Sequence, residues 1–245
     1  MAQPITALPD ALVMGAGGTL GIAWLRGLIA GLEDASGLDL RRCDYFVGTS
    51  AGSYVAATLA AGRRVVEPGA DPGRADDAAA DALPAPKGPL KRLAGEGGRL
   101  AAAATAPFMP LALTATRPGG AAVRAAVLRA APKPRNPPQD LRRNVEQLGA
   151  RFDGRLRVVT VDRKRGSRVV FGAPGAPEAG VTEAVLASCA VPWIFSPVEI
   201  GGRDYVDGGV WSMSNLDVAP VGRGAEVLAL LPIFGHGGPF RLAAQ

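Results

Sequence analysis

Within its first 62 residues the chain reads strand, glycine loop, helix, strand, tight turn, helix, and that alternation admits few folds. Ala11 to Met14 is a short apolar run suited to a buried strand, and Gly15-Ala16-Gly17-Gly18-Thr19-Leu20-Gly21 follows it directly. Ile22, Leu25, Ile29 and Leu32 then recur at the spacing of one helical face, with Gly37 placed to end the helix. Asp44 to Val47 supplies a second strand, and Val55, Ala56 and Leu59 share one face of the helix after it. Strands joined through helices pair in parallel, so the pattern predicts an α/β fold with a central, mostly parallel sheet between helical layers.

The second strand meets its helix through Gly48-Thr49-Ser50-Ala51-Gly52. A serine on a sharp strand-to-helix turn presents its hydroxyl above the sheet edge, and small residues at Gly48 and Gly52 let the helix approach the strand. The helix that follows points its positive end and its free N–H groups at the same place. Ser50 is therefore the candidate nucleophile. In a chain with 33 glycines the pentapeptide alone also fits an ordinary glycine-rich turn, so its meaning depends on what else the chain carries.

Between Glu67 and Pro89 the composition shifts to Pro, Gly, Ala and Asp without apolar period, which predicts a long loop. Leu90 to Leu113 and Ala121 to Ala131 are alanine-rich and predicted helical in pieces, broken at Pro107, Pro110 and Pro118, and Pro132 to Pro138 is a connector. The stretch 63–150 reads as a helical or irregular insertion or cap, with Phe108-Met109-Pro110-Leu111 suited equally to an acyl-chain contact or to core packing. Leu156 to Val161 and Arg168 to Phe171 read as a hairpin, and Thr182 to Ala190 as a short helix stopped by Pro192. Val198 to Ile200 and Arg203 to Val206 flank Gly201-Gly202, a favoured two-residue hairpin turn, and run into Asp207-Gly208-Gly209. Glu226 to Leu231 is a last buried strand.

Composition narrows the classes. With 48% hydrophobic and 20% charged residues the 245-residue chain is an ordinary globular one, read as a single domain over 1–245. Cys43 and Cys189 are too few for a disulfide scaffold or a zinc site and sit in apolar runs, which predicts buried free thiols in a reducing compartment. The first eleven residues lack a signal-peptide pattern and no apolar run spans a bilayer, so the expected location is cytoplasmic, peripheral at most to the inner membrane face. Between Lys87 and Arg168 eighteen Lys and Arg face five Asp and Glu, a local +13 that leaves −8 for the other residues. That imbalance is either a solvated surface or an attraction for anionic lipid head groups; with only Phe108 and Phe152 as aromatics, nucleic acid is not expected as a partner.

The glycine loop after the first strand, Gly48-x-Ser50-x-Gly52, Ala187-Ser188-Cys189-Ala190-Val191-Pro192-Trp193 and Asp207-Gly208-Gly209 after a late hairpin occur in one order, and together they resemble the patatin-like phospholipase family. The resemblance covers most of the chain apart from 63–150. It implies a three-layer α/β/α fold and a serine acyl hydrolase cleaving ester-linked fatty acyl groups of lipids, of phospholipase A or lysophospholipase type. It also implies a dyad without histidine: Ser50 attacks, Asp207 is the general base, and an acyl-enzyme forms. The oxyanion would be held by backbone N–H groups of Gly15, Gly17 and Gly18, with Ala51 after the nucleophile, and Gly48 and Gly52 would form the elbow. No metal or cofactor is implied. Leu20 stands where the family often carries Arg or Lys, which leaves the N–H groups and helix dipole, or another base such as Arg26, to compensate. The chain also stops sooner after its last strand than the family commonly does.

Three rival readings stay open on the residues alone. Ser50, Asp207 and His236, the sole histidine, occur in the chain order of an α/β-hydrolase triad. Gly15-x-Gly17-x-x-x-Gly21 after a strand also resembles a dinucleotide loop, which would make the chain a nucleotide-binding module. Separately, a hydrolytic site disabled at Leu20 or by the short C-terminus would leave a lipid-binding module.

Overall fold

The computed structural model describes residues 7–66, 120–131 and 139–233. β1 (Ala11–Met14) leads into α1 (Gly18–Ser36), which ends at Gly37 in the left-handed conformation at φ 69°. That geometry favours glycine and closes the helix with a bond from the Gly37 N–H to the Glu33 carbonyl. β2 (Tyr45–Thr49) and α2 (Ala51–Ala60) follow. Beyond the undescribed 67–119 come α3 (Gly120–Ala130), α4 (Gln139–Leu148), β3 (Leu156–Asp162), β4 (Arg168–Phe171), α5 (Val181–Ser188), β5 (Val198–Ile200), β6 (Arg203–Asp207) and β7 (Val227–Leu230). The predicted loop over 67–89, the tetrad Phe108 to Leu111 and His236 all lie outside the described residues.

Among the described residues the strands form one seven-stranded sheet in the order β5-β6-β3-β2-β1-β7, with β4 also paired to β3. β7, β1, β2 and β3 run parallel, whereas β4 and β6 are antiparallel to β3. Side chains alternate between faces. Leu12, Met14, Phe46, Leu156 and Val158 enter the main core beneath α1, α2, α4 and α5, and Val13, Val47 and Val159 turn to the other face. There Leu128 of α3 packs with Val161, Val206 and Val210. Helices thus cover both faces, and strands buried on both sides read as continuous apolar runs. Leu141 and Val145 of α4 belong to the main core, so residues 139–148 cover the sheet rather than standing apart from it.

The register around β3 decides which strand ends meet. β4 pairs with Val158 to Val161, β2 with Leu156 to Val159 and β6 with Thr160 to Asp162. A strand has two edges, and β4 overlaps both other partners, so β2 and β6 share the opposite edge end to end. Thr49 lies across from Val159 and Asp207 across from Thr160, neighbouring positions along β3. The Gly201-Gly202 turn, with φ 57° and 73°, directs β6 back along β3 and delivers Asp207 as its last residue.

No helix among the described residues is long and apolar enough to cross a membrane. Both thiols are buried, and burial pushes the Cys43 thiol up to about 12.

Close packing around β2 yields a stability test. A Cβ on Gly52 would collide with the Met14 carbonyl, main chain that cannot swing aside, whereas one on Gly27 of α1 meets nothing within 4 Å. Gly52→Ala is expected to cost about 3 kcal/mol, lowering the melting temperature by roughly 6 °C or more in calorimetry. Gly27→Ala should instead gain about 0.5–1 kcal/mol by stiffening the unfolded chain.

Candidate active site

Ser50 takes φ 53° and ψ −121°, a conformation a non-glycine residue adopts only when its surroundings hold it there, at a cost of about 1–3 kcal/mol. Several contacts do the holding. The Ser50 N–H donates to the Ser188 hydroxyl at 2.9 Å, and that hydroxyl donates to the Val159 carbonyl at 2.7 Å. The Ser50 carbonyl accepts from the Ser53 N–H at 2.8 Å and from the Ser53 hydroxyl at 2.6 Å. Gly48 completes the elbow, since a Cβ there would strike the backbone of Gly52 and Ser53. Both predicted elbow glycines are therefore required by contact.

Asp207 ends β6 and caps the one-turn 3-10 helix Gly208–Val210, its Oδ1 accepting the Gly209 N–H at 2.6 Å. Gly208 backs onto the Val159 carbonyl so closely that no Cβ fits, and Val159 is the residue whose carbonyl also receives Ser188. Asp207 is 4% exposed. Burial raises its pKa to about 6, opposed by the Gly209 N–H and by hydrogen bonding from the Ser50 hydroxyl. Serine and aspartate, separated by most of the sequence, are thus brought together, and the aspartate is more basic than an exposed one.

The glycine loop is stapled to the same place. The Ala16 N–H donates to the Met213 carbonyl at 2.9 Å, and a Cβ on Gly209 would come within 3.8 Å of the Ala16 side chain. Of the predicted oxyanion donors, Gly15 is corrected: its N–H is taken by the Leu230 carbonyl at 3.0 Å, which extends the β1–β7 pairing one residue past the strand. The N–H groups of Gly17, Gly18 and Ala51 make no hydrogen bond among the described residues. Gly17 caps α1 and packs so tightly that a Cβ would lie 2.7 Å from Gly21 and 2.9 Å from Pro232, while Gly18 needs its positive φ of 62°. Gly21 in turn faces Ala51, so the positive ends of α1 and α2 converge.

Leu20, where the sequence resemblance implies a basic side chain, is 83% exposed. Arg26 does not substitute for it there; its Nε donates to the Val65 carbonyl at 2.7 Å, beyond the C-terminal end of α2. Among the described residues no group of three His, Cys, Asp or Glu is arranged to hold a metal ion. Two side chains outside the predicted site also bear on it, Ser188 and the fully buried Asn215, which contacts Thr49 and Gly208. Ser188 is legible as a lone hydroxyl in the apolar run Ala184 to Ala190; Asn215 carries no comparable signal.

A model of the family described as patatin-like phospholipase matches residues 12–220. No curated protein matches the sequence.

The buried carboxylate makes a thermodynamic prediction. Folded Asp207 titrates near 6 and an unfolded aspartate near about 3.9, so the folded state holds the proton more tightly between those values. The penalty for burying the ion is therefore full above about pH 6, shrinks as pH falls and vanishes below about pH 4, with an upper bound of about 3 kcal/mol. Asp207→Asn should melt above the wild type at pH 7.5, and the gap should close toward pH 4. Equal melting temperatures across that range would contradict a buried, ionised carboxylate.

Proposed function

This chain belongs to the patatin-like phospholipase family, a family of lipid acyl hydrolases, and from that membership we propose that it cleaves ester-linked acyl groups through Ser50 and Asp207 alone. The observation that carries the proposal is the meeting of β2 and β6 on one edge of β3, which sets the strained Ser50 beside a buried carboxyl whose pKa is about 6. A general base works best with a pKa near the operating pH, and burial brings Asp207 there.

The reaction then runs in two halves. As the Ser50 oxygen attacks the ester carbonyl carbon, its proton passes to the Asp207 carboxylate, which the Gly209 N–H holds in place through Oδ1. The N–H groups of Gly17, Gly18 and Ala51 receive the negative charge that develops on the carbonyl oxygen, aided by two helix ends each equivalent to roughly half a positive charge. Collapse expels the alcohol, which takes the proton from Asp207 and leaves the acyl group on Ser50. Water attacks the acyl-enzyme, giving a proton to Asp207. A second collapse returns that proton to Ser50 and releases the fatty acid.

A phospholipase A or lysophospholipase specificity belongs to the same proposal, as does action in the cytoplasm at the inner membrane face. The basic stretch supports the last point only in part. Several of its arginines serve the fold: Arg163 bonds carbonyls at the end of α3, Arg168 pairs with Asp217, Arg155 with Asp153, and Arg142 with Glu146 and Glu183. If the remaining charge still steers the protein, binding to phosphatidylglycerol vesicles should exceed binding to neutral ones and fade near 1 M salt, where the Debye length is about 3 Å. Equal sedimentation with both vesicle types at low salt would remove anionic membrane as a partner.

The dyad is tested by chemistry at named residues. A fluorophosphonate probe should modify Ser50 and leave Ser53 and Ser188 untouched by peptide mapping. Asp207→Asn should lower turnover of a lipid ester by about 100-fold or more, and wild-type kcat/KM should fall as pH drops through about 6, because the base must be ionised. His236→Ala should be nearly silent. A folded His236→Ala variant that loses activity while Asp207→Asn keeps it would install the triad instead.

A further inference from the structure

We infer that Asn215 is the positioning residue that locks the Asp207 turn to the nucleophile strand, an inference resting on the Ser50–Asp207 reading. Asn215 is fully buried and holds a left-handed backbone, φ 47° and ψ 36°, which asparagine tolerates better than most residues. Its Nδ2 lies 2.6 Å from the Ser212 carbonyl, 3.1 Å from Thr49 Oγ1 and 3.4 Å from the Gly208 carbonyl. Thr49 immediately precedes Ser50, and Gly208 immediately follows Asp207. One amide therefore reaches both halves of the dyad without touching either reacting group.

The orientation of that amide is determined by its other neighbour. Arg168 Nη1 lies 3.2 Å from Asn215 Oδ1, and a guanidinium can only donate, so the oxygen must face it and the NH₂ must face Thr49 and Gly208. Arg168 is itself fixed. It grips Asp217 with both nitrogens, at 2.8 and 2.6 Å, and its guanidinium lies 5.2 Å from the centre of the Trp211 ring. Two amide protons serve three acceptors, so the long contact to Gly208 is a shared one, and the geometry depends on all partners staying in register.

Ser50 and Asp207 sit at the ends of two strands that meet on β3 without pairing to each other, so main-chain bonding leaves a seam between them. Asn215 bridges that seam. Loss of the bridge lets the carboxylate drift relative to the hydroxyl, and a misplacement of about 1 Å can cost on the order of 100-fold in rate. Substrate binding does not use this amide, so the loss should appear in kcat and leave KM unchanged.

The test uses the full chain and a soluble p-nitrophenyl acyl ester. Asn215→Gly keeps the left-handed backbone accessible and removes the amide; Asn215→Asp keeps size and backbone preference but offers the acceptors no proton. Both should lower kcat by about 10- to 100-fold with KM within about twofold and circular dichroism unchanged. Thr49→Val should lower kcat less, and in a double-mutant cycle with Asn215→Gly the losses should fall short of adding, because both remove one bridge. If either Asn215 variant is folded and keeps kcat within about twofold of wild type, or loses activity through KM alone, the inference is overturned while the dyad stands. If Ser50→Ala retains wild-type turnover, the dyad reading fails and this inference with it.

Discussion

The structure depends on a single shared edge. β3 carries β4 along one side and, along the other, first β2 and then β6, so two strands arriving from opposite directions end against each other. Strand hydrogen bonding fixes register to the residue, because a slip of one position would turn every side chain to the other face. On β3 such a slip would send Val159 and Val161 into the helical layer meant for Val158 and Leu156. The core thus enforces the placement of Thr49 and Asp207 at neighbouring positions, and the two turns take their relative position from packing.

Unfavourable features gather at this junction. Ser50 and Asn215 hold positive φ, Asp207 is a carboxyl almost closed off from water, and the positive ends of two helices point at one another across Gly21 and Ala51. Each is a local departure from what the chain would choose in isolation, and such departures persist where surrounding structure over-determines them. Here the over-determination is visible as the Ser188 hydroxyl linking Ser50 to Val159 and as glycines that admit no side chain. The carboxylate keeps its basicity because burial outweighs the hydrogen bonds it accepts from Gly209 and Ser50.

Much of this is legible in the sequence, and what is not has a physical reason. The alternating first 62 residues, the β3–β4 hairpin and the Gly201-Gly202 turn rest on short-range periodicity and turn chemistry, and the strands lie within a residue or two of their predicted bounds. Helix α4 escapes recognition as an element of the core because only Leu141, Val145 and Leu148 break a polar stretch. Gly15 reads as an anion donor because glycine-loop motifs do not reveal how far a strand's ladder runs, and here it runs on to Leu230. Charge counting gives +13 for a stretch of which several arginines answer carbonyls and carboxylates of the fold. Asn215 is invisible for the same kind of reason: its partners Thr49 and Gly208 are 166 and 7 residues away, and no local pattern announces either.

The order of the strands has a consequence in time. β1 is flanked by β2, made just after it, and by β7, whose entry point at Glu226 bonds Asp10 from 216 residues along the chain. A ribosome adds roughly 5–20 residues per second, so Ser50 emerges many seconds before Asp207 exists. Until β6 arrives the elbow has no carboxyl beside it, and until β7 arrives β1 has an open edge. The junction that sets the Ser50 turn against the Asp207 turn is therefore complete only when nearly all of the sheet has been synthesised.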